Sequence, residues 1–111
     1  MKTIYLSILA TLLFTACNST EWWVGGTLHA ERVSAWKKAT AENKLATCAD
    51  MLVAIRQQNN ATYANKTDLK IDAEKVVKCI NEKVQAGAAD TTKVAALAVE
   101  CVVNFKAGGM Q

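Results

Sequence analysis

Leu69-Lys70-Ile71-Asp72-Ala73-Glu74-Lys75-Val76-Val77-Lys78-Cys79-Ile80-Asn81-Glu82-Lys83-Val84 is the stretch whose reading decides the fold. Its apolar residues Leu69, Ala73, Val76, Val77, Ile80 and Val84 stand at offsets of 0, 4, 7, 8, 11 and 15. That is the spacing of one face of an α-helix, which turns once in about 3.6 residues. Lys70–Glu74, Glu74–Lys78 and Lys78–Glu82 fill the opposite face as i,i+4 ion pairs, each contributing about 0.2–0.5 kcal/mol. They mark a solvated surface and carry no functional signal. Thr67 or Asp68 is the expected N-cap of this helix.

Reading outward, the same period recurs on both sides. Gln85 to Ala89 form a tight connection around Gly87, and Asp90 or Thr91 is expected to start a last helix. Val94, Leu97, Ala98, Cys101, Val102 and Phe105 are its inward stripe, Lys106 sits in its last turn, and Gly108-Gly109 stop it. Upstream, Gln57 to Lys66 is polar and Asn-rich, with Tyr63 as its one aromatic, and reads as a loop. Before it, Leu45, Cys48, Ala49, Leu52, Val53 and Ile55 define a helix from about Thr40 to Gln58, with Arg56 placed where a cation suits the helix dipole. A short first helix is expected after a Thr27 cap, with Ala30, Val33, Trp36 and Ala39 or Thr40 on one face and an end near Lys37-Lys38. Proline is absent and alanine is frequent after residue 30, which favours helix over strand. The expected fold class is all-α, a small bundle of about four helices with one disulfide.

The N-terminus reads as an address. Lys2 supplies one positive charge, and Ile4 to Phe14 form an apolar run interrupted only by Ser7 and Thr11. Such a run is the length of a signal h-region and falls short of the roughly 20 residues that span a bilayer. Phe14-Thr15-Ala16-Cys17 follows it, and resembles the lipobox of bacterial lipoprotein precursors, although the first position is usually Leu. The resemblance covers residues 1 to 17. It implies a signal peptide over 1–16, a lipidated tether over 17–26 and a helical domain over 27–111. It further implies a thioether diacylglycerol and an N-acyl chain on Cys17. Each buried methylene contributes about 0.8 kcal/mol, so several chains anchor the protein permanently. In the sorting rule of enterobacterial lipoproteins Asp after the Cys favours the inner membrane; Asn18 therefore implies the outer membrane, facing the periplasm. In the tether, Trp22-Trp23 are expected to cover the helical core in preference to lying among lipid headgroups. The Asn-x-Ser/Thr triplets at Asn18, Asn60 and Asn65 are read as chance features of Asn- and Thr-rich loops in a bacterial host.

Without Lys2, twelve Lys and Arg face ten Asp and Glu, a net charge of +2. No run of five like charges exists, so nucleic acid is not an expected partner. Removal of residues 1–16 leaves 95 residues, enough for one compact domain.

Beyond Cys17 lie Cys48, Cys79 and Cys101, and an exported protein meets an oxidising compartment. Antiparallel neighbours meet at positions equidistant from the loop that joins them. With the second loop centred near residue 63, Cys48 lies about 15 residues before it and Cys79 about 16 after. With the last loop centred near residue 88, Cys79 and Cys101 lie about 9 and 13 residues away. That offset is about 6 Å at 1.5 Å per residue. Cys101 is also central in its stripe, where a buried free thiol is comfortable, whereas Cys79 is at the edge of its own. Cys48–Cys79 is the preferred pairing, Cys79–Cys101 the alternative and Cys48–Cys101 the third.

Nothing in the sequence nominates catalysis. His29 is the single histidine, and Ser19 and Ser34 are the only serines after Cys17. No nucleophile elbow, H-E-x-x-H pattern, C-x-x-C pair or glycine-rich phosphate loop occurs. Asp68 and Asp72 fit the helix N-terminus they occupy. The expectation is a non-enzyme with no metal and no cofactor beyond the covalent lipid, attached to a membrane and working on a protein partner. In size, class and lipidation the chain resembles secretion pilotins, small helical lipoproteins with a disulfide that carry a secretin subunit outward. Thr47-Cys48-Ala49-Asp50-Met51-Leu52 and Val76-Val77-Lys78-Cys79 resemble the two cysteine segments of acid-stress chaperones of enteric bacteria, which implies a chaperone alternative. An envelope inhibitor or immunity protein is the third class.

Overall fold

A computed structural model describes residues 21–107; the signal segment, the lipobox with Cys17, and Gly108-Gly109 lie outside the described residues. The described chain is helical: α1 Val33–Lys38, α2 Ala41–Gln58, α3 Lys66–Gln85 and α4 Val94–Ala107. Helices α2 and α3 form an antiparallel hairpin with the most extensive packing, and α4 returns along α3 and touches α2. The α3 stripe faces the core as its period requires: Leu69, Ala73, Val76 and Ile80 are buried, while Val77 and Val84 pack at its margin. Leu52, Cys48 and Ala49 from α2 and Val94, Leu97, Ala98, Cys101 and Val102 from α4 complete it.

Helix ends differ from expectation where side chains found other partners. Thr40, where the sequence places the start of this helix, caps α2 and accepts from the Asn43 amide at 3.1 Å. The α3 cap is Asn65 rather than Thr67 or Asp68, and its Oδ1 accepts from the Asp68 amide at 2.8 Å. Asparagine is at least as good a cap as threonine. Asn60 ends the preceding turn with φ 57°, a left-handed conformation that asparagine tolerates. Gly87 follows α3 at φ 111°, where a side chain would be strained.

The first helix is shorter than expected because Thr27 does not cap it. Its amide donates to Asn43 Oδ1 and its hydroxyl accepts from Asn43 Nδ2, both at 2.8 Å. The Leu28 amide donates to Thr47 Oγ1 at 3.2 Å, and Leu28 itself is buried. Residues 26–28 thus form a strap across α2. A Cβ at Gly26 would stand 2.5 Å from the Thr47 backbone nitrogen, so only glycine permits this crossing. Helix α1 starts at Val33, whose amide donates to the Thr92 carbonyl at 2.8 Å, and Ser34 donates to Asp90 at 3.2 Å. In return Val94 donates to Glu31 at 3.0 Å. This exchange holds the 90–92 segment out of helix and moves the start of α4 from Asp90 or Thr91 to Val94.

The preferred pairing Cys48–Cys79 is corrected by the structure: Cys79 bonds Cys101, with Cα atoms 6.0 Å apart, and Cys48 is a buried free thiol. The element ends explain it. Midway between Gln58 and Lys66 is residue 62, which puts Cys48 14 residues before and Cys79 17 after. Midway between Gln85 and Val94 is 89.5, which puts Cys79 10.5 residues before and Cys101 11.5 after. The later start of α4 therefore brings Cys79 and Cys101 level. Trp22 and Trp23, by contrast, do pack against the core, edge to face with centroids 5.7 Å apart. Lys70 and Lys66 lie over their rings at 5.8 and 4.7 Å, so this part of the expected tether rests on the bundle.

Closing a loop of 22 residues is worth about 3 kcal/mol in the chain-entropy model. Cys79→Ser and Cys101→Ser should each lower unfolding free energy by about that amount, measured by urea denaturation. Cys48→Ala should leave the non-reducing gel mobility of the protein unchanged; altered mobility would mean that Cys48 takes part in the bridge.

Candidate functional site

Of the residues the sequence nominated for chemistry, Cys17 lies outside the described residues. Cys79 and Cys101 are consumed by the bridge. Cys48 has no exposed surface, and burial pushes its thiol up to about 12. At neutral pH it is a small apolar side chain rather than a nucleophile. His29 directly follows the strap, with Nε2 3.0 Å from Asp50 Oδ2 and both side chains well exposed. This contact fastens the strap to α2. His29 does not join the cysteines, and no group of three or more His, Cys, Asp or Glu side chains fit for a metal occurs among the described residues.

The polar constellation of the bundle lies instead at the tip of the α2–α3 hairpin. Tyr63, in the polar loop, donates its phenolic hydrogen to Asp72 Oδ2 at 2.9 Å. Asp72 is buried on α3, and the Arg56 guanidinium from the end of α2 stacks 4.3 Å from the Tyr63 ring centroid. Burial, first, and the hydrogen bond and negative charge of Asp72, next, push the Tyr63 hydroxyl up from 10.0 to about 12, against the opposing pull of Arg56. The phenol is therefore held neutral as a donor, the opposite of what a general base or nucleophile needs. Around this trio opens a cleft of about 420 Å³, bordered also by Asp68, Ile71 and Lys75. Two cations and two carboxylates thus surround an exposed isoleucine.

A second concavity of about 480 Å³ lies between the start of α2 and the end of α3, where Leu45 and Val77 meet Glu74, Lys78, Asn81 and Glu82. It is the more apolar of the two. Sequence reading missed the Tyr63 trio, yet one signal was present. Asp72 occupies a position three residues from Leu69 and four from Val76, on the buried face, where a carboxylate needs a partner. The helix-dipole account of Asp72 is thus incomplete: its position is set by Tyr63.

No protein family, curated protein or solved structure matches the chain.

Two outcomes check the trio. A group whose folded pKa is raised stabilises below its unfolded pKa, and that stabilisation is lost as pH rises through the folded value. Stability should therefore fall as pH rises from 10.0, where the unfolded phenol ionises, to about 12, where Tyr63 ionises in the folded chain and its phenolate absorbance appears. Tyr63→Phe should remove the absorbance step near pH 12 and leave at most that of Tyr5, the other tyrosine of the sequence. It should also cost about 1–3 kcal/mol in urea unfolding at neutral pH, because Asp72 loses its donor.

Proposed function

We propose that the chain is the precursor of a small lipoprotein, anchored through acyl chains on Cys17 and presenting its helical bundle as a non-catalytic binding or assembly module. The observation that carries this reading is the order of the N-terminal segment: Lys2, the apolar run Ile4 to Phe14, then Phe14-Thr15-Ala16-Cys17. Asn18 in place of Asp supports the outer membrane, with the bundle on the periplasmic side. A disulfide in the body fits an oxidising compartment. No helix among the described residues is long and apolar enough to cross a membrane, so a lipid on Cys17 is the attachment on which the reading rests.

Geometry adds a constraint to the anchor. Trp22, already packed on the bundle, follows Cys17 by five residues, which span at most about 17 Å of extended chain. A lipid on Cys17 would thus hold the bundle close to the membrane surface, able to tilt but not to reach far. The module is pilotin-like in size and class, and its partner is an envelope protein met near that surface. The chaperone alternative leaned on Cys48 and Cys79 as bridged segments, and with Cys48 free it loses that support.

Cys17→Ala decides the anchor. The wild-type chain should incorporate labelled palmitate and sediment with membranes, whereas Cys17→Ala should take up no label and leave the pellet. A variant that stays in membranes through salt and carbonate washes would refute lipid attachment.

A further inference from the structure

Helix α4 is apolar on two sides. Between Val94 and Phe105 its one charged residue is Glu100. At about 100° per residue, Ala96, Val99 and Val103 point away from the buried Val94, Ala98 and Cys101. Val99 is 51% and Val103 59% exposed, and Ala96 is exposed as well. A globular helix ordinarily carries polar residues on its outer face. Here the outer face carries three apolar side chains at spacings of three and four, the a/d repeat of a helix–helix seam.

The charges beside this stripe are self-complementary. Lys93, the residue just before the first helical residue Val94, and Glu100 lie seven residues apart, and both are exposed. When two copies of α4 run antiparallel with the twofold axis near Leu97-Ala98, Ala96 of each meets Val99 of the other. The same register brings Lys93 of one chain beside Glu100 of the other, twice by symmetry, which is the signature of an isologous contact. Glu100 already receives Lys83 of its own chain at 3.1 Å, yet remains 59% exposed, so a second cation can join it from outside.

We propose that the Ala96–Val99–Val103 face of α4 is a self-association surface, occupied by α4 of a second copy in antiparallel register. The stripe is small beside the roughly 800 Å² per partner of a standard interface. The pairing is accordingly reversible and needs covalent capture to be seen. It does not depend on a lipid at Cys17, so it stands or falls separately from the anchor.

The test uses the full chain in intact cells, with Val99→Cys and a short bis-maleimide. A species of twice the mass, containing this chain alone by mass spectrometry, is expected. Lys93→Glu added to Val99→Cys, or Glu100→Lys added to it, should abolish that species, because each places like charges opposite one another. Co-expression of the two charge variants under different tags should restore a mixed pair, in which both contacts are again opposite in sign. Absence of the doubled species, its persistence in both charge variants, failure of the mixture to restore it, or a product containing a different protein would each overturn the proposal.

Discussion

Trp36 must be buried, and the rest of the bundle is arranged around that requirement. It belongs to a six-residue helix, far too short to form on its own, so α1 exists only because its tryptophan is held. The ring is 1% exposed, its indole N–H donates to Asn81 Oδ1 at 2.9 Å, and the Lys44 amine lies 5.4 Å from it. Sinking α1 this far leaves its first amides away from water, where unpaired donors are costly. The carbonyls of Asp90 and Thr92 meet them. Arg32 and Lys37 reinforce the same junction, reaching the Thr91 carbonyl and the Asp90 carboxylate at 2.7 Å each. One contact therefore ends the freedom of α1, delays the start of α4 and fixes the level at which α4 lies on α3. Cys101 faces Cys79 as a consequence.

That chain of dependence explains which parts of the structure were legible in the sequence. Helix α3 was plain because its stripe and charged face are local properties of one segment. The existence of all four helices was legible for the same reason. The first turn of α4 was not: Asp90-Thr91 reads as an N-terminus, but the Asp90 carbonyl serves the Ser34 amide and the Thr91 carbonyl the Arg32 guanidinium, fifty-odd residues upstream, and no local pattern reports a contact that distant. The bridge followed from that boundary, since a shift of about four residues in a helix start moves its side chains by about 6 Å. Thr27 is a similar case. A threonine after two glycines looks like a cap, and it became half of a reciprocal hydrogen bond with Asn43 because Gly26 lets the strap lie on the α2 backbone.

The strap converts a three-sided bundle into a closed one. Thr27, Leu28, Asn43 and Thr47 share their polar atoms, with Thr47 Oγ1 also donating to Asn43 Oδ1 at 3.1 Å. No buried side-chain polar atom among the described residues lacks a partner. Thr47 can consequently sit fully buried on α2 beside Cys48, and the free thiol is sealed from both solvent and bridge. Two of the three cysteines after Cys17 thus act as a clamp and the third as packing. At the other end of the hairpin Tyr63 does for Asp72 what Asn43 does for Thr47. Tyr63 does so from the loop, and Asn43 from one turn earlier on α2 itself.

Helices α3 and α4 show how differently the same bundle treats its surface. Helix α3 alternates lysines with glutamates and aspartates along its solvent side, so its outer face gains little by meeting anything. Helix α4 packs chiefly against α3 and less against α2, which suffices to bury one stripe of a segment that carries two. A sequence selected only to fold would tolerate charge at positions 96, 99 and 103, since no packing constrains them. Valine at two of the three, in a chain with charges at 21% of its residues, exposes apolar surface where the fold alone has no use for it. The bridge to Cys79 holds α4 against α3 and so keeps that second stripe turned outward, a rigid edge rather than a fraying terminal helix.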